Sequence, residues 1–313
     1  MTNLKKRYKI EKMHRTRVEK CVFTVAFILF AAYAIIIIYP FIYLLLKSLQ
    51  NVKDYLGVTW SGVGNPPTFY YESGLTPSNF VHAFTQMKQT TSSGEVGLIG
   101  MFINSIWITG LYMVLGVVVS AFTAYNLAKY KFPGSGLIYA IAIFSMTIPI
   151  VGNTGSLFKF AVDSGIYDTP LFVVCTAAGG FGFNFIVLYG FFSNVSWNYA
   201  EAVFIDGGGH FTAFFRAMLP QALPSMVTLA ILQFISYWNN YQTILMYLPS
   251  FPTLAAGLYV LELAMRDNKP VYYASLLVMS IPALLIFQRF HSVIIRYQLC
   301  QLFPFGACIT VDH

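Results

Sequence analysis

Apolar residues in this chain fall in long unbroken runs, with neither the alternation of strands nor the single stripe of a surface helix. Six runs lie near or above the ~20 residues a helix needs to cross a hydrocarbon core. They are Val22 to Leu46, Met101 to Leu127, Leu137 to Phe160, Leu171 to Ser193, Met226 to Tyr247 and Val271 to Ile295. The pattern predicts an all-α polytopic membrane protein with six transmembrane helices. Polar stretches divide it into a basic arm over 1–20, a membrane domain over 21–300 and a tail over 301–313. The membrane domain carries long loops at 47–100 and 194–221.

Polar interruptions inside the runs mark candidate function. The third run is broken by Pro149, Gly152 and Gly155, and a break at membrane depth is tolerated where it lines a cavity or is buried in protein. Asn153, inside that break, is therefore a candidate pathway residue. The fourth run holds Asn184, whose amide is too costly to leave unpaired in lipid and so faces a helix or a pathway. In the fifth, Gln233, Tyr237 and Asn240 stand at i, i+4 and i+7, giving one polar face. Trp238 and Asn239 complete an aromatic and amide cluster. Sugars suit such a surface, because their C–H faces pack on rings and their hydroxyls exchange hydrogen bonds with amides. The same residues would also serve as glue between helices. In the second run, Gly116, Ser120 and Ala124 have the small-residue spacing that lets helices approach closely.

Composition agrees with the runs: 57% of residues are hydrophobic and 10% charged, with a mean hydropathy of +0.64. Charge adds direction. Six crossings with the N-terminus inside place 13 basic and five acidic residues on the cytoplasmic side, and six basic and seven acidic residues outside. That asymmetry is the positive-inside pattern, so both termini are expected in the cytoplasm and the net charge of +7 points to anionic lipid, not nucleic acid. The arm reads equally as a surface helix or a disordered anchor. The sequence contains no G-x-x-x-x-G-K-[ST] phosphate loop and no carboxylate within a predicted crossing. The chain is thus expected neither to hydrolyse ATP nor to work as an ion-coupled carrier. The four cysteines lack metal or redox spacing, and the histidines fall in loops, in terminal segments or at a helix end.

Glu201 to Pro220 is a polar insert on the cytoplasmic side: a short helix, a glycine turn and a second short helix, with Asp206 expected to help cap the second. It resembles the EAA loop of binding-protein-dependent ABC transporter permeases. Glu201, Ala202, Asp206, Gly207, Phe214, Leu219 and Pro220 fall at that loop's spacing. The chain departs from it at Val203 and Gly208, where alanine is usual, and at Ala217, where a larger aliphatic is usual. Ala124 to Gly134, AYNLAKYKFPG, is similar to the AYxLARxxFPG segment of carbohydrate-type importers. The Trp238–Asn239 pair and the stretch Pro77 to Phe84 resemble the family too, whereas the tail departs from its maltose-type ending.

The resemblance implies a type I ABC importer permease of the bacterial or archaeal plasma membrane. Its partners would be a second homologous permease, two ATPase subunits and an extracytoplasmic solute-binding protein. Glu201, Ala202, Asp206, Gly207, Gly208 and Pro220 would form the coupling helix seated in the ATPase, and Arg216 would pair with ATPase acids or lipid phosphate. No cofactor is expected on this chain, since ATP and magnesium belong to the ATPase. An oligosaccharide is the expected substrate. The alternatives are an acidic saccharide or other solute in the same importer class, a secondary carrier, and a scaffold that binds the ATPase without transport. Pro77 to Phe84 would offer the solute-binding protein a surface, or form a packed cap.

Overall fold

The structure, a computed structural model, describes residues 17–59, 61, 69–92, 94–147, 152–265 and 268–302. Most of the basic arm, the tail beyond Leu302 and the Pro149 interruption lie outside the described residues. The chain opens with α1 (Arg17–Ser48), the first apolar run as one continuous helix. None of its most apolar stretch is buried within the chain, so its surface is left for lipid or another subunit.

The loop after α1 folds into a cap. Asn51 caps α2 (Val52–Tyr55), its side chain accepting from the Lys53 amide. Next come α3 (Ser78–Gln86) and an antiparallel hairpin of β1 (Lys88–Thr91) and β2 (Gly94–Gly97), a feature the apolar pattern does not predict. Asp54 is fully buried at the cap's centre. It accepts from Thr59 Oγ1 at 2.8 Å, the Ser73 amide at 2.9 Å and Ser73 Oγ at 2.7 Å. Burial opposes its charge, and the three hydrogen bonds outweigh burial and hold the carboxyl below its ordinary range. Asn79 Nδ2 donates to the Ser48 and Gln50 carbonyls, tying α3 to the end of α1. One face of α3 is thus packed through Asn79 and Ala83, while Val81, His82 and Phe84 stay exposed.

α4 (Leu98–Lys129) is the central helix, against which α7, α8, α11 and α13 pack. The third and fourth runs do not form single helices. The third gives α5 (Ser135–Thr147) and α6 (Asn153–Asp163), and Gly152 enters α6 in a left-handed conformation, φ 88°. The fourth gives α7 (Pro170–Ala177) and α8 (Phe183–Asn194), parted at the glycine cluster. Beyond α8 lie α9 (Asn198–Ile205), α10 (His210–Thr212), a π-helical segment Ala213–Met218, and α11 (Leu219–Trp238). The fifth run stops at Asn239, and α12 (Tyr241–Tyr247) starts afresh with the Asn240 side chain accepting from Thr243 N. An asparagine that can cap a new helix competes with continuation of the old one.

α13 (Leu254–Ala264) and α14 (Lys269–Leu302) complete the fold. The amide of Leu254 donates to Ser105 Oγ, which seats the start of α13 beside the second turn of α4. Among the described residues, four stretches, Cys21–Ser48, Leu98–Lys129, His210–Trp238 and Lys269–Ile286, are long and apolar enough to cross a membrane as single helices. At the cap end, Asp168 (φ 56°) holds the turn before α13 by accepting from Ser250 N at 2.9 Å and Ser250 Oγ at 2.6 Å.

Candidate functional site

Two places collect the residues singled out by sequence. The first is the turn end of the molecule, at α9 and α10. Helix α9 closes with paired backbone hydrogen bonds, Gly207 N to the Phe204 carbonyl at 3.0 Å and Gly208 N to the Val203 carbonyl at 2.8 Å. Gly207 has φ 80°, so this is the left-handed glycine termination that satisfies the last helical carbonyls. Asp206 occupies the C-cap of α9; the expectation that it caps the second helix is corrected, since Gly209 stands at that N-cap with no side-chain bond.

The two departures at Val203 and Gly208 are one feature. A Cβ on Gly208 would lie 2.5 Å from Val203 Cγ1 and 3.0 Å from the Val203 carbonyl oxygen. The larger side chain at one position is accommodated by the absence of any at the other. Alanine at 208 beside Val203 would overpack the turn.

This turn packs on the exit of α4, so the two segments that carry the resemblance meet. Tyr130 Oη lies 2.9 Å from His210 Nδ1, the Tyr130 ring stands edge-on to Trp197, and His210 stands edge-on to Phe204. Lys129 Nζ donates to the Val195 carbonyl. What faces outward is the remainder: Glu201, Ala202, Asp206 and Arg216 are exposed, with Ile205 85% and Phe211 78% exposed. Pro220 sits at the N-terminus of α11, where its missing N–H costs least, directly after the π segment.

The second place is a cavity of about 420 Å³ between α4, the α7–α8 break and α11. Asn184, Gln233 and Tyr237 all line it, together with Ser236. Tyr237 stacks on Tyr112 at 3.9 Å, and Tyr112 Oη pairs with Thr176 Oγ1 at 2.8 Å. Gly116 lets the Gln233 amide lie against α4, for a Cβ there would come within 2.6 Å of Oε1. Gln233 Oε1 is buried and has no hydrogen-bond partner among the described residues.

The other pathway candidates are not brought together with these. Trp238 and Asn239 turn to a different cavity on the opposite side of α11, Asn240 is spent on its cap, and Asn153 is exposed at the start of α6. Sequence reasoning missed Tyr112 and Thr176, which brace the cavity wall. Their positions in apolar runs look ordinary in one dimension.

The family model described as binding-protein-dependent transport system inner membrane component matches residues 116–296. The chain belongs to that family. Among similar proteins, a probable ABC transporter permease of Bacillus subtilis is 26% identical over 84% of this chain and 83% of its own length. A diacetylchitobiose uptake system permease of Streptomyces coelicolor is 29% identical over 67% of this chain and 64% of its own length. An arabinooligosaccharides transport system permease of Halalkalibacterium halodurans is 27% identical over 85% and 91%. In a bacterial ABC transporter involved in importing the acidic polysaccharide alginate, one chain superposes with a TM-score of 0.68 at 20% identity, covering 89% of this chain and 98% of that one. The chain is therefore an inner-membrane permease subunit of a binding-protein-dependent ABC transport system, with the fold of an ABC importer permease, in a family of transport subunits. An importer of this class works with ATPase and solute-binding partners.

Proposed function

We propose that this permease carries a neutral oligosaccharide and supplies half of the translocation path, with α9 and its glycine turn as the element that engages an ATPase subunit. The observation that carries this is the turn end itself. Its inward face is complete, while Glu201, Ile205, Asp206 and Phe211 are presented to a surface the chain does not contain. In this reading the turn end and both termini are cytoplasmic and the cap faces outside. A second homologous permease supplies the other half of the path, two ATPase subunits bind ATP and magnesium, and a solute-binding protein delivers substrate to the cap. This chain itself holds no cofactor.

Opening and closing of the ATPases would move α9, and through α10 and the π segment would tilt α11, which lines the cavity at Gln233 and Tyr237. Arg216, exposed within that segment, would pair with an ATPase acid or a lipid phosphate. The amides of Asn184 and Gln233 and the hydroxyl of Ser236 can exchange hydrogen bonds with sugar hydroxyls. The relatives named for diacetylchitobiose and arabinooligosaccharides support a sugar, and the cavity lining includes no lysine or arginine to favour an acid.

The test is purification from detergent-solubilised native membranes with co-purifying chains identified by mass, followed by uptake of labelled oligosaccharides in vesicles of the reconstituted complex. A second permease and a P-loop ATPase are expected, and Gln233→Leu should slow uptake while leaving ATPase binding intact. A chain that purifies alone and transports without an ATPase would overturn the proposal.

A further inference from the structure

On the side of α11 away from Gln233 lies a larger cavity, about 600 Å³, walled by α11, α13 and α14. Its α14 wall is a single face: Tyr272, Leu276, Met279, Ala283 and Leu284 recur at helical spacing. From Tyr272 to Leu284 that face descends about 18 Å at the helical rise, slightly more than one leaflet of a ~30 Å hydrocarbon core. Opposite stand Ile235, Leu254, Ala255 and Leu258, equally apolar. Leu284 and Ile235 are exposed along the groove, so it opens sideways to the surroundings of the helices and not only to its end.

The rim at the cap end differs sharply. Glu262 lines it, with Lys269 Nζ 3.8 Å from its carboxylate and 5.2 Å from the Tyr272 ring centroid. Tyr272 lines the rim beside this pair, and the stacked pair Tyr241 and Tyr259, 4.5 Å apart, forms the other side of the mouth. Of the polar groups below the rim, Ser280 Oγ donates to the Leu277 carbonyl and Asn239 Nδ2 to the Ile235 carbonyl, so a mostly apolar trough is a poor seat for a sugar, whose many hydroxyls would find few partners there. A single acyl chain needs none.

We propose that this groove holds one acyl chain of a phospholipid with a primary-amine headgroup, drawn from the leaflet on the cap side. The amine would donate to Glu262 and the phosphate would face Lys269, so a zwitterionic headgroup meets a zwitterionic pair in register. An anionic glycerol headgroup offers no amine and sets its phosphate charge near Glu262. The tyrosines supply the amphipathic ring collar found where hydrocarbon meets water.

The experiment is native mass spectrometry of the purified full chain in detergent, titrated with palmitoyl-oleoyl phosphatidylethanolamine or with phosphatidylglycerol of the same chains. One retained phosphatidylethanolamine per chain is expected, with phosphatidylglycerol weaker by at least roughly tenfold. Leu276→Trp and Ala255→Phe fill the groove from two different helices, so that loss of fold in one leaves the other informative. Either should weaken phosphatidylethanolamine at least roughly tenfold. Glu262→Gln should erase the preference between headgroups while lipid is still retained. Equal retention in wild type and both folded groove-filled variants, or no retention by wild type, would overturn the proposal. So would displacement of the lipid by a helix of the second permease, seen as loss of retention in the intact complex.

Discussion

The two ends of the molecule are built on different principles. At the cap end, buried polar groups close on one another: Asp54 has three donors, Asn79 bridges two carbonyls, and Asp168 holds Ser250. At the turn end the inner side is held by edge-to-face rings around Tyr130 and His210, and the outer side is left as exposed acids and apolar side chains. Asp54, Asp168 and Asn79 are thus answered from within the chain, while Gln89 Oε1 of β1 is left without a partner among the described residues. Ile205 and Phe211 are more exposed than the cap's own Val81 and Phe84, and apolar surface of that kind is what a partner would cover in the proposed coupling role.

That contrast predicts opposite phenotypes. The largest effect is expected from Glu201→Lys, which reverses an exposed charge in α9: sugar uptake should fall to background while insertion and thermal stability stay at wild-type values. Uptake at the normal rate would remove the loop from the coupling role. Next is Gly208→Ala, which drives a methyl into Val203 and should cost about 1–3 kcal/mol. Adding Val203→Ala should restore most of it, and a double-mutant cycle by thermal unfolding measures that coupling.

At the cap the prediction inverts. Asp54→Asn should lower local stability by about 1–3 kcal/mol, read as faster amide exchange over residues 50–80, without weakening ATPase binding. Because the folded Asp54 carboxyl titrates below its unfolded value of about 3.9, its contribution is whole above that pH and is lost as pH falls through the lower folded value. The protection that Asp54 gives the cap, read as the difference in exchange between wild type and Asp54→Asn, should therefore be constant from neutrality down to about pH 5 and shrink below about pH 4. The smallest effect belongs to Asn240→Ala, which removes the cap of α12 and should cost about 1 kcal/mol of stability with little change in transport. A strong transport defect with normal stability would return Asn240 to the pathway.

The runs of apolar residues made the membrane helices legible, because burial in lipid demands length and apolarity whatever the tertiary arrangement. They concealed the interruptions. Gly179, Gly180 and Gly182 are visible in the sequence, yet only the structure divides that run into α7 and α8. Gln233 and Tyr237 were legible as one helical face and share a cavity. Asn240 fell off that face because a residue that reads as the next turn of one helix can equally begin another. The pairing of Val203 with Gly208 was hidden in a different way. Each looked like a separate deviation, and only their 2.5 Å approach joins them. The Asp168–Ser250 contact joins turns 82 residues apart, beyond any local pattern.

The π-helical segment Ala213–Met218 sets a phase. A π turn carries one residue more than the α turn it replaces, and one residue of α-helix corresponds to about 100° of rotation. Everything before the segment, α9 and its exposed acids included, therefore points about a quarter-turn away from where an unbroken helix would aim it. Removing a single residue there would leave both surfaces chemically intact and misaligned, like a key cut correctly and mounted askew on its shaft.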